Sequence, residues 1–225
     1  MLVGLISDVH SNATALKAVL SEMENMGVEK ILHAGDVIGY NPNPNETVEM
    51  FIEHKIISIL GNHDRAIITG DYSEFNPYAA AALLWTKKVL SPGSFDYIQS
   101  LKSREHFTID KIHLVAIHGS PRDVDEYIFP VNVSAHFLAA EKADVLVLGH
   151  THVQFKKEYS LGIVLNPGSV GQPRDESPDA AFAVYDTVTN AAKLKRIKYD
   201  VEKVIEDMRN AHLPDKLGIR LRYGL

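Results

Sequence analysis

Seven side chains able to bind a metal ion occur in short polar motifs, each following an apolar stretch. They are two aspartates, one asparagine and four histidines: Asp8, His10, Asp36, Asn62, His118, His150 and His152. Imidazole and carboxylate ligands together suit divalent ions such as Mn, Fe, Zn or Ni, and suit Mg or Ca less well. Because the sequence contains no cysteine, any metal site must use nitrogen and oxygen ligands.

The number and charge of these ligands predict a pair of ions and an anionic substrate. Seven ligands are too many for one tetrahedral centre and suffice for two ions. Two divalent cations exceed the charge of Asp8, Asp36 and a bridging hydroxide by one unit, which favours an anion. Paired metal ions activate a bridging water and hold phosphoryl oxygens during in-line displacement. The set therefore predicts metal-assisted hydrolysis of a phosphoester.

Each motif taken alone also has an ordinary structural explanation. Asp8 could cap the helix that follows it, and His118 could be a hydrogen-bonded core histidine. The pair His150 and His152 could lie on the surface, and the motif beginning at Gly61 could be a simple turn. The metal-site prediction rests on the conjunction, because every candidate follows a predicted strand and the ligand types complement one another.

The elements that must position these residues are five short apolar strands, each ending just before a motif. They are predicted at Leu2–Ser7, Lys30–Ala34, Ile56–Leu60, Ile112–Ile117 and Val145–Leu148. Amphipathic stretches predict helices at Asn12–Asn25, Asn45–His54, 77–90, 94–101, Val133–Lys142 and Val201–His212. Sites in open α/β sheets form beyond the carboxyl ends of strands, so distant motifs can converge there.

The second half of the chain is richer in predicted strands. His106–Ile109 and Ile112–Ile117 predict a hairpin that turns at Asp110 and Lys111. Four later strands are expected to run sequentially antiparallel: Phe155–Tyr159, Gly162–Leu165, Ala181–Asp186 and Ala192–Tyr199. The pattern predicts an α/β fold of two mixed sheets packed together and flanked by helices, in a single domain spanning 1–225.

Composition excludes several classes of protein. The chain has 225 residues, is 45% hydrophobic and 23% charged, and carries a formal net charge of −6. That charge disfavours a broad surface for long nucleic acids or membranes. The start of the sequence lacks the basic region of a signal peptide, because Asp8 interrupts the apolar stretch early. We expect a soluble, cytoplasmic protein.

Five motifs, taken in order, resemble those of the calcineurin-like metallophosphoesterases. They are Asp8-x-His10, Gly35-Asp36, Gly61-Asn62-His63-Asp64, His118-Gly119 and Gly149-His150-x-His152, and the resemblance covers Met1 to about Asp186. It implies a four-layer α/β/β/α sandwich. It also implies that one metal is held by Asp8, His10, Asp36 and His152, and that Asp36 bridges to a second metal held by Asn62, His118 and His150. His63 would protonate or stabilise the leaving oxygen, and Asp64 would orient His63.

Three loops look like those of the small prokaryotic phosphodiesterases related to diadenosine tetraphosphatases: Gly39–Glu46, His118–Asp123 and Asn166–Asp175. Ser11 and Asn41 stand where many members have glycine, and asparagine tolerates positive φ better than most residues. Arg122 and Arg174 are candidate substrate-binding residues, since a guanidinium can hold a phosphate oxygen bidentately. The alternative for both arginines is a surface ion pair with a neighbouring aspartate.

The resemblance implies a dinuclear, metal-dependent phosphodiesterase acting on a small-molecule or nucleotide phosphoester through a metal-bridging hydroxide. The alternatives are a phosphomonoesterase, a dinucleoside-polyphosphate hydrolase, or a non-catalytic scaffold that retains the fold. Retention of His63 and all seven ligands argues against a scaffold. A nuclease acting on long DNA or RNA is disfavoured by the net charge. Manganese is expected to restore activity after removal of metal.

Overall fold

Two five-stranded mixed sheets form the centre of the protein, described here by a computed structural model covering residues 1–225. The first sheet contains β1 (Leu2–Ile6), β2 (Lys30–His33), β3 (Ile57–Ser58), β9 (Ala180–Asp186) and β10 (Ala191–Ile197), in the order β10-β9-β1-β2-β3. Its three early strands are parallel, and β9 and β10 pair antiparallel at one side.

The second sheet contains β4 (Arg104–Ile109), β5 (Ile112–Ile117), β6 (Val145–Val147), β7 (Phe155–Tyr159) and β8 (Gly162–Asn166), in the order β4-β5-β6-β8-β7. Its three central strands are parallel, and its two edge strands are antiparallel to their neighbours. The hairpin of β4 and β5 turns at Asp110 and Lys111, as predicted. Their φ values of 51° and 70° are those of a turn that follows the twist of the strands.

Alternating side chains divide the core into layers. Val3 and Leu5 of β1 pack against Leu114 and Ala116 of β5 between the two sheets, while Ile6 faces the helices on the outer side. Val115 and Ile117 of β5 face the opposite outer layer, against α6 (His136–Glu141). This period of two is what the strand pleat requires.

Helices cover both outer faces. The others are α1 (Ala13–Asn25), α2 (Pro44–Glu53), α3 (Asn62–Thr69), α4 (Pro77–Val89), α5 (Pro92–Ser100), α7 (Val201–Asn210) and α8 (Asp215–Leu221), with a 3₁₀ turn at Pro130–Asn132. In α1 the Asn12 side chain accepts the Ala15 N–H at 3.0 Å and so caps the start of the helix. The predicted α/β/β/α sandwich is confirmed by this arrangement. No helix has the length and apolar character needed to cross a membrane.

Three local predictions were wrong. β8 and β9 belong to different sheets, so the last four strands form two separate hairpins instead of one antiparallel run. Two helices are additional to the predicted ones: α3, which starts in the motif after Gly61, and α8. β3 has only two residues, and the predicted helix Val133–Lys142 is confined to His136–Glu141.

Candidate metal centre

The loops after β1, β2, β3, β5 and β6 bring the seven predicted ligands into one cluster. Six of these side chains are buried, and Asn62 is partly exposed at the edge. The strands supply this convergence because the carboxyl ends of their parallel sets lie at one end of the packed sheets.

One half of the cluster is formed by Asp8, His10 and His152. The Nε2 atoms of His10 and His152 are 3.0 Å apart, and Asp8 Oδ1 lies 3.3 Å from His152 Nε2 and 3.7 Å from His10 Nε2. Three ligand atoms from two loops thus face one small volume, which is the arrangement that a bound cation needs.

The other half is formed by Asn62, His118 and His150. Asn62 Oδ1 lies 3.1 Å from His118 Nε2, and the rings of His118 and His150 are 4.9 Å apart. Asp36 lies between the two halves. Its Oδ2 is 3.6 Å from His10 Nε2 and 3.4 Å from His118 Nε2, so one carboxylate oxygen faces both groups of ligands.

Backbone carbonyls set the tautomer of three ligand histidines. The Nδ1 atoms of His10, His118 and His152 lie 3.3, 2.8 and 2.5 Å from the carbonyl oxygens of Ile38, Ala34 and Gln172. A carbonyl oxygen only accepts, so each Nδ1 must carry a proton and donate it. Each Nε2 can therefore present a lone pair to a metal ion, as ligand histidines usually do.

The carboxylates of Asp8 and Asp36 are also held by the backbone. In each, one oxygen accepts a backbone N–H and the other is available to a metal ion. Asp8 Oδ2 accepts the His150 N–H at 3.1 Å, and Asp36 Oδ1 accepts the His63 N–H at 2.9 Å. Asp8 Oδ1 and His150 Nε2 are buried without a hydrogen-bond partner. Buried polar atoms without partners are costly, and a cation would satisfy both, so the residues present fit a divalent metal.

Five of the seven ligands have a left-handed backbone. The φ values are 54° for Asp8, 49° for His10, 64° for Asp36, 69° for His150 and 61° for His152. Such conformations are unfavourable for residues other than glycine and concentrate at functional sites. Hydrogen bonds between loops hold them, among them the Asp8 N–H to the Gly35 carbonyl at 2.9 Å.

The two departures from the family pattern behave differently. Ser11 adopts the positive φ expected where other members have glycine, at 61°, and its hydroxyl oxygen accepts the Gly39 N–H at 3.0 Å. Asn41 does not need the left-handed conformation; Tyr40 before it adopts φ of 43°. The Asn41 side-chain amide instead donates to the His10 carbonyl at 2.9 Å, which supports the ligand loop.

His63 begins α3 beside the cluster. Its ring packs against those of His10, Tyr40 and Phe75, with centroid distances of 4.6, 4.4 and 4.8 Å, and its Nδ1 is buried without a partner. The expectation that Asp64 orients this ring is wrong. Both Asp64 oxygens accept backbone N–H groups, from Asp36, Val37, Ile38 and Gly61, at 3.0–3.2 Å. Asp64 therefore holds the loop that carries Asp36.

The electrostatics of the cluster follow from burial and from the two carboxylates. Burial acts to lower the pKa of His118, but neighbouring Asp36 outweighs it and raises the pKa to about 10. Burial lowers the pKa of His63 to about 4 and that of His150 to about 3. Burial alone would raise the pKa values of Asp8 and Asp36, yet the surrounding histidines hold both below the usual range.

The two candidate arginines lie in different surroundings. Arg122 is mostly exposed and forms an ion pair with Glu126 at 2.5 Å, whereas the expected partner was an aspartate. Arg174 lies at the cluster, and its guanidinium donates to the Tyr40 hydroxyl and to Gln172 Oε1, both at 3.1 Å. Arg174 Nε is buried without a partner.

Sequence reasoning missed two aromatic residues at the site. Tyr127, whose ring centroid lies 3.8 Å from that of His150, belongs to a polar loop with no periodic signal. Phe75 is an isolated aromatic between β3 and α4 and packs on His63. The one sequence signal that could have indicated Tyr127 and Phe75 is the presence of an aromatic residue near a predicted ligand motif.

The sequence and the fold are similar to those of known proteins. A model of the calcineurin-like phosphoesterase superfamily domain matches residues 1–190. The chain is 34% identical to an uncharacterised protein of Methanocaldococcus jannaschii, covering 99% of this chain and 98% of that protein. It is 25% identical to phosphodiesterase YfcE of Escherichia coli, covering 80% and 84%. The crystal structure of a metallophosphoesterase from Sphaerobacter thermophilus is 34% identical and superposes with a TM-score of 0.87, covering 100% and 99%.

Gly61→Ala should disrupt the cluster. A Cβ at this position would lie 2.0 Å from Asp36 Oδ1 and 2.4 Å from Asp36 N, which forces the central carboxylate to move. We expect metal affinity to fall by roughly tenfold or more, as for other residues that support a metal ligand. Metal content after dialysis measures this. Gly93→Ala is the matched control, since nothing lies within 4 Å of its Cβ, and equal metal content in the two variants would contradict the prediction.

Metal binding should release protons and strengthen as pH rises. The pKa of His118 is raised to about 10, so at neutral pH its ring is protonated before a cation binds. A divalent ion must displace that proton, and the apparent affinity should rise by up to about tenfold per pH unit. Calorimetric titration with Mn²⁺ in buffers of different ionisation enthalpy measures the protons released. An affinity independent of pH between about 6 and 8 would contradict this assignment.

Proposed function

The chain belongs to the calcineurin-like phosphoesterase superfamily, as a metal-dependent phosphoester hydrolase, and we propose that it hydrolyses phosphodiesters using two divalent metal ions. The position of Asp36 carries the proposal, because one carboxylate oxygen faces both groups of ligands. The preference for diesters is supported by the relative named a phosphodiesterase.

The proposed ligands divide between the two ions as the family resemblance implies, and the ligand atoms of Asp8, His10 and His152 lie within 4.8 Å of one another. The first ion would be held by Asp8, His10, Asp36 and His152, and the second by Asp36, Asn62, His118 and His150. When bound, the ions supply Lewis acidity, which favours ionisation of water at neutral pH and offsets charge on the phosphoryl oxygens.

The chain's own groups position the phosphate and the departing alcohol. We assign Arg174 to a phosphate oxygen, since its Nε is unpartnered and its other contacts, to Tyr40 and Gln172, fix the guanidinium beside the cluster. We assign His63 to the leaving oxygen, because its Nδ1 is buried without a hydrogen-bond partner and its ring packs against that of His10 in the cluster. Water supplies the oxygen that bonds to phosphorus, the ester P–O bond breaks, and the alcohol leaves with a proton.

His63→Ala should keep the metal ions and lose turnover. Because the ring is assigned to the leaving oxygen and not to a cation, kcat for bis(p-nitrophenyl) phosphate should fall by roughly 100-fold or more. Metal content should match the unmodified protein. His136→Ala, which removes an exposed histidine on α6, is the matched control. Unchanged turnover in His63→Ala would refute the assigned role.

Metal content and activity should change together. A chelator should abolish hydrolysis, and added Mn²⁺ should restore the activity with about two ions bound per chain. Asp36→Ala should lose both ions. Asn62→Ala should lose mainly the second ion, because the first ion keeps its full set of ligands in that variant. Elemental analysis beside the nitrophenol assay tests this. Full activity with a single ion per chain would overturn the two-metal proposal.

A further inference from the structure

A cavity of about 430 Å³ opens directly beside the proposed metal centre, and the function proposed above gives it no role. Asn62 and His150 form its inner wall. His150 is only 4% exposed and belongs to the proposed ligand set, so the cavity reaches the cluster itself. A diester whose phosphate sits at the cluster must place its two organic groups around it, and this cavity adjoins the second half of the ligand set. Its size is within the range of small-molecule sites.

Two aromatic rings form apolar walls of the cavity. Phe75 packs edge-on against His63 at an interplanar angle of 81°, which holds this wall of the cavity against the metal cluster. Tyr127 packs on the His150 ring and is 54% exposed, which leaves part of its surface open to a ligand. Aromatic faces attract apolar groups and also cations, through the negative potential above the ring.

The remaining walls carry an excess of negative charge. Arg65 and Asp125 form an ion pair with each other, so their charges cancel. Asp71 and Glu74 line the cavity and form no ion pair with any basic residue of the chain. Asp71 is held in place because its Oδ1 accepts the Ser73 N–H at 3.0 Å and the Ser73 hydroxyl at 2.7 Å. An anionic group here would meet two uncompensated carboxylates.

We infer that this cavity binds one organic group of the diester and selects it by charge. It accepts neutral or positively charged alcohol groups and rejects those carrying a further anionic group, and Asp71 and Glu74 determine this specificity. The inference rests on the proposed phosphodiesterase function. The inference distinguishes two substrate classes that the fold alone does not distinguish. An ester of a neutral or amino alcohol fits the cavity, whereas a polyphosphate chain would bring extra negative charge close to Asp71 and Glu74.

Three diesters with a common leaving group test this selection. The p-nitrophenyl phosphodiesters of choline, ethanol and 3-hydroxypropionic acid differ in the charge of the retained group, which is positive, neutral and negative. With Mn²⁺-loaded protein at low salt, kcat/KM should be roughly tenfold higher for the choline ester than for the carboxylate ester. This ratio should shrink as ionic strength rises, because the carboxylates are exposed and salt screens them.

The double variant Asp71→Asn, Glu74→Gln should reduce the choline-to-carboxylate ratio to near one. The ratio compares two substrates on the same sample, so it is independent of the fraction of folded or metal-loaded protein. Glu53→Gln, an exposed acid on α2 outside the cavity, is the matched control and should keep the ratio. A wild-type ratio near one, or a ratio unchanged in the double variant, would overturn the inference. Absence of turnover on all three diesters would instead refute the phosphodiesterase proposal.

Discussion

The central constraint on this fold is that two carboxylates and several imidazoles are kept together in one buried cluster. Burial of Asp8 and Asp36 is unfavourable unless their oxygens find partners. Backbone groups satisfy one side of each ligand: carbonyls take the Nδ1 protons of His10, His118 and His152, and N–H groups bind one oxygen of each aspartate. The atoms left over face one another, and divalent cations would stabilise that arrangement.

The two sheets contribute different members of the cluster. Asp8, His10 and Asp36 follow strands of the first sheet, whereas His118, His150 and His152 follow strands of the second. An ion held by ligands from both sheets would therefore link them at their carboxyl edge. Further contacts support the same junction, such as the Ser169 hydroxyl, which donates to the Asp8 carbonyl at 2.7 Å. Metal binding is thereby coupled to the packing of the sandwich.

Charge is distributed so that attraction and selection occur in different places. The centre would hold cations and attract a phosphate, and Arg174 at its edge adds a further positive group. Asp71 and Glu74 line the adjoining cavity, where they would act on the organic group of the diester. A net charge of −6 is thus compatible with an anionic substrate, because local charges near the site outweigh distant ones screened by salt.

The sequence alone determined the ligand types and the strand that precedes each motif, because apolar runs and polar motifs are local patterns. It therefore predicted the convergence of seven residues and the layered α/β/β/α fold. The tertiary structure decided what depends on distant neighbours: that β8 and β9 part into separate sheets, and that Asp64 supports a backbone loop and not His63. It also decided that Arg122 pairs with Glu126, and that Phe75 and Tyr127 line a cavity. These outcomes depend on which surfaces come into contact after folding, and the hydrophobic periodicity of the sequence does not specify those contacts.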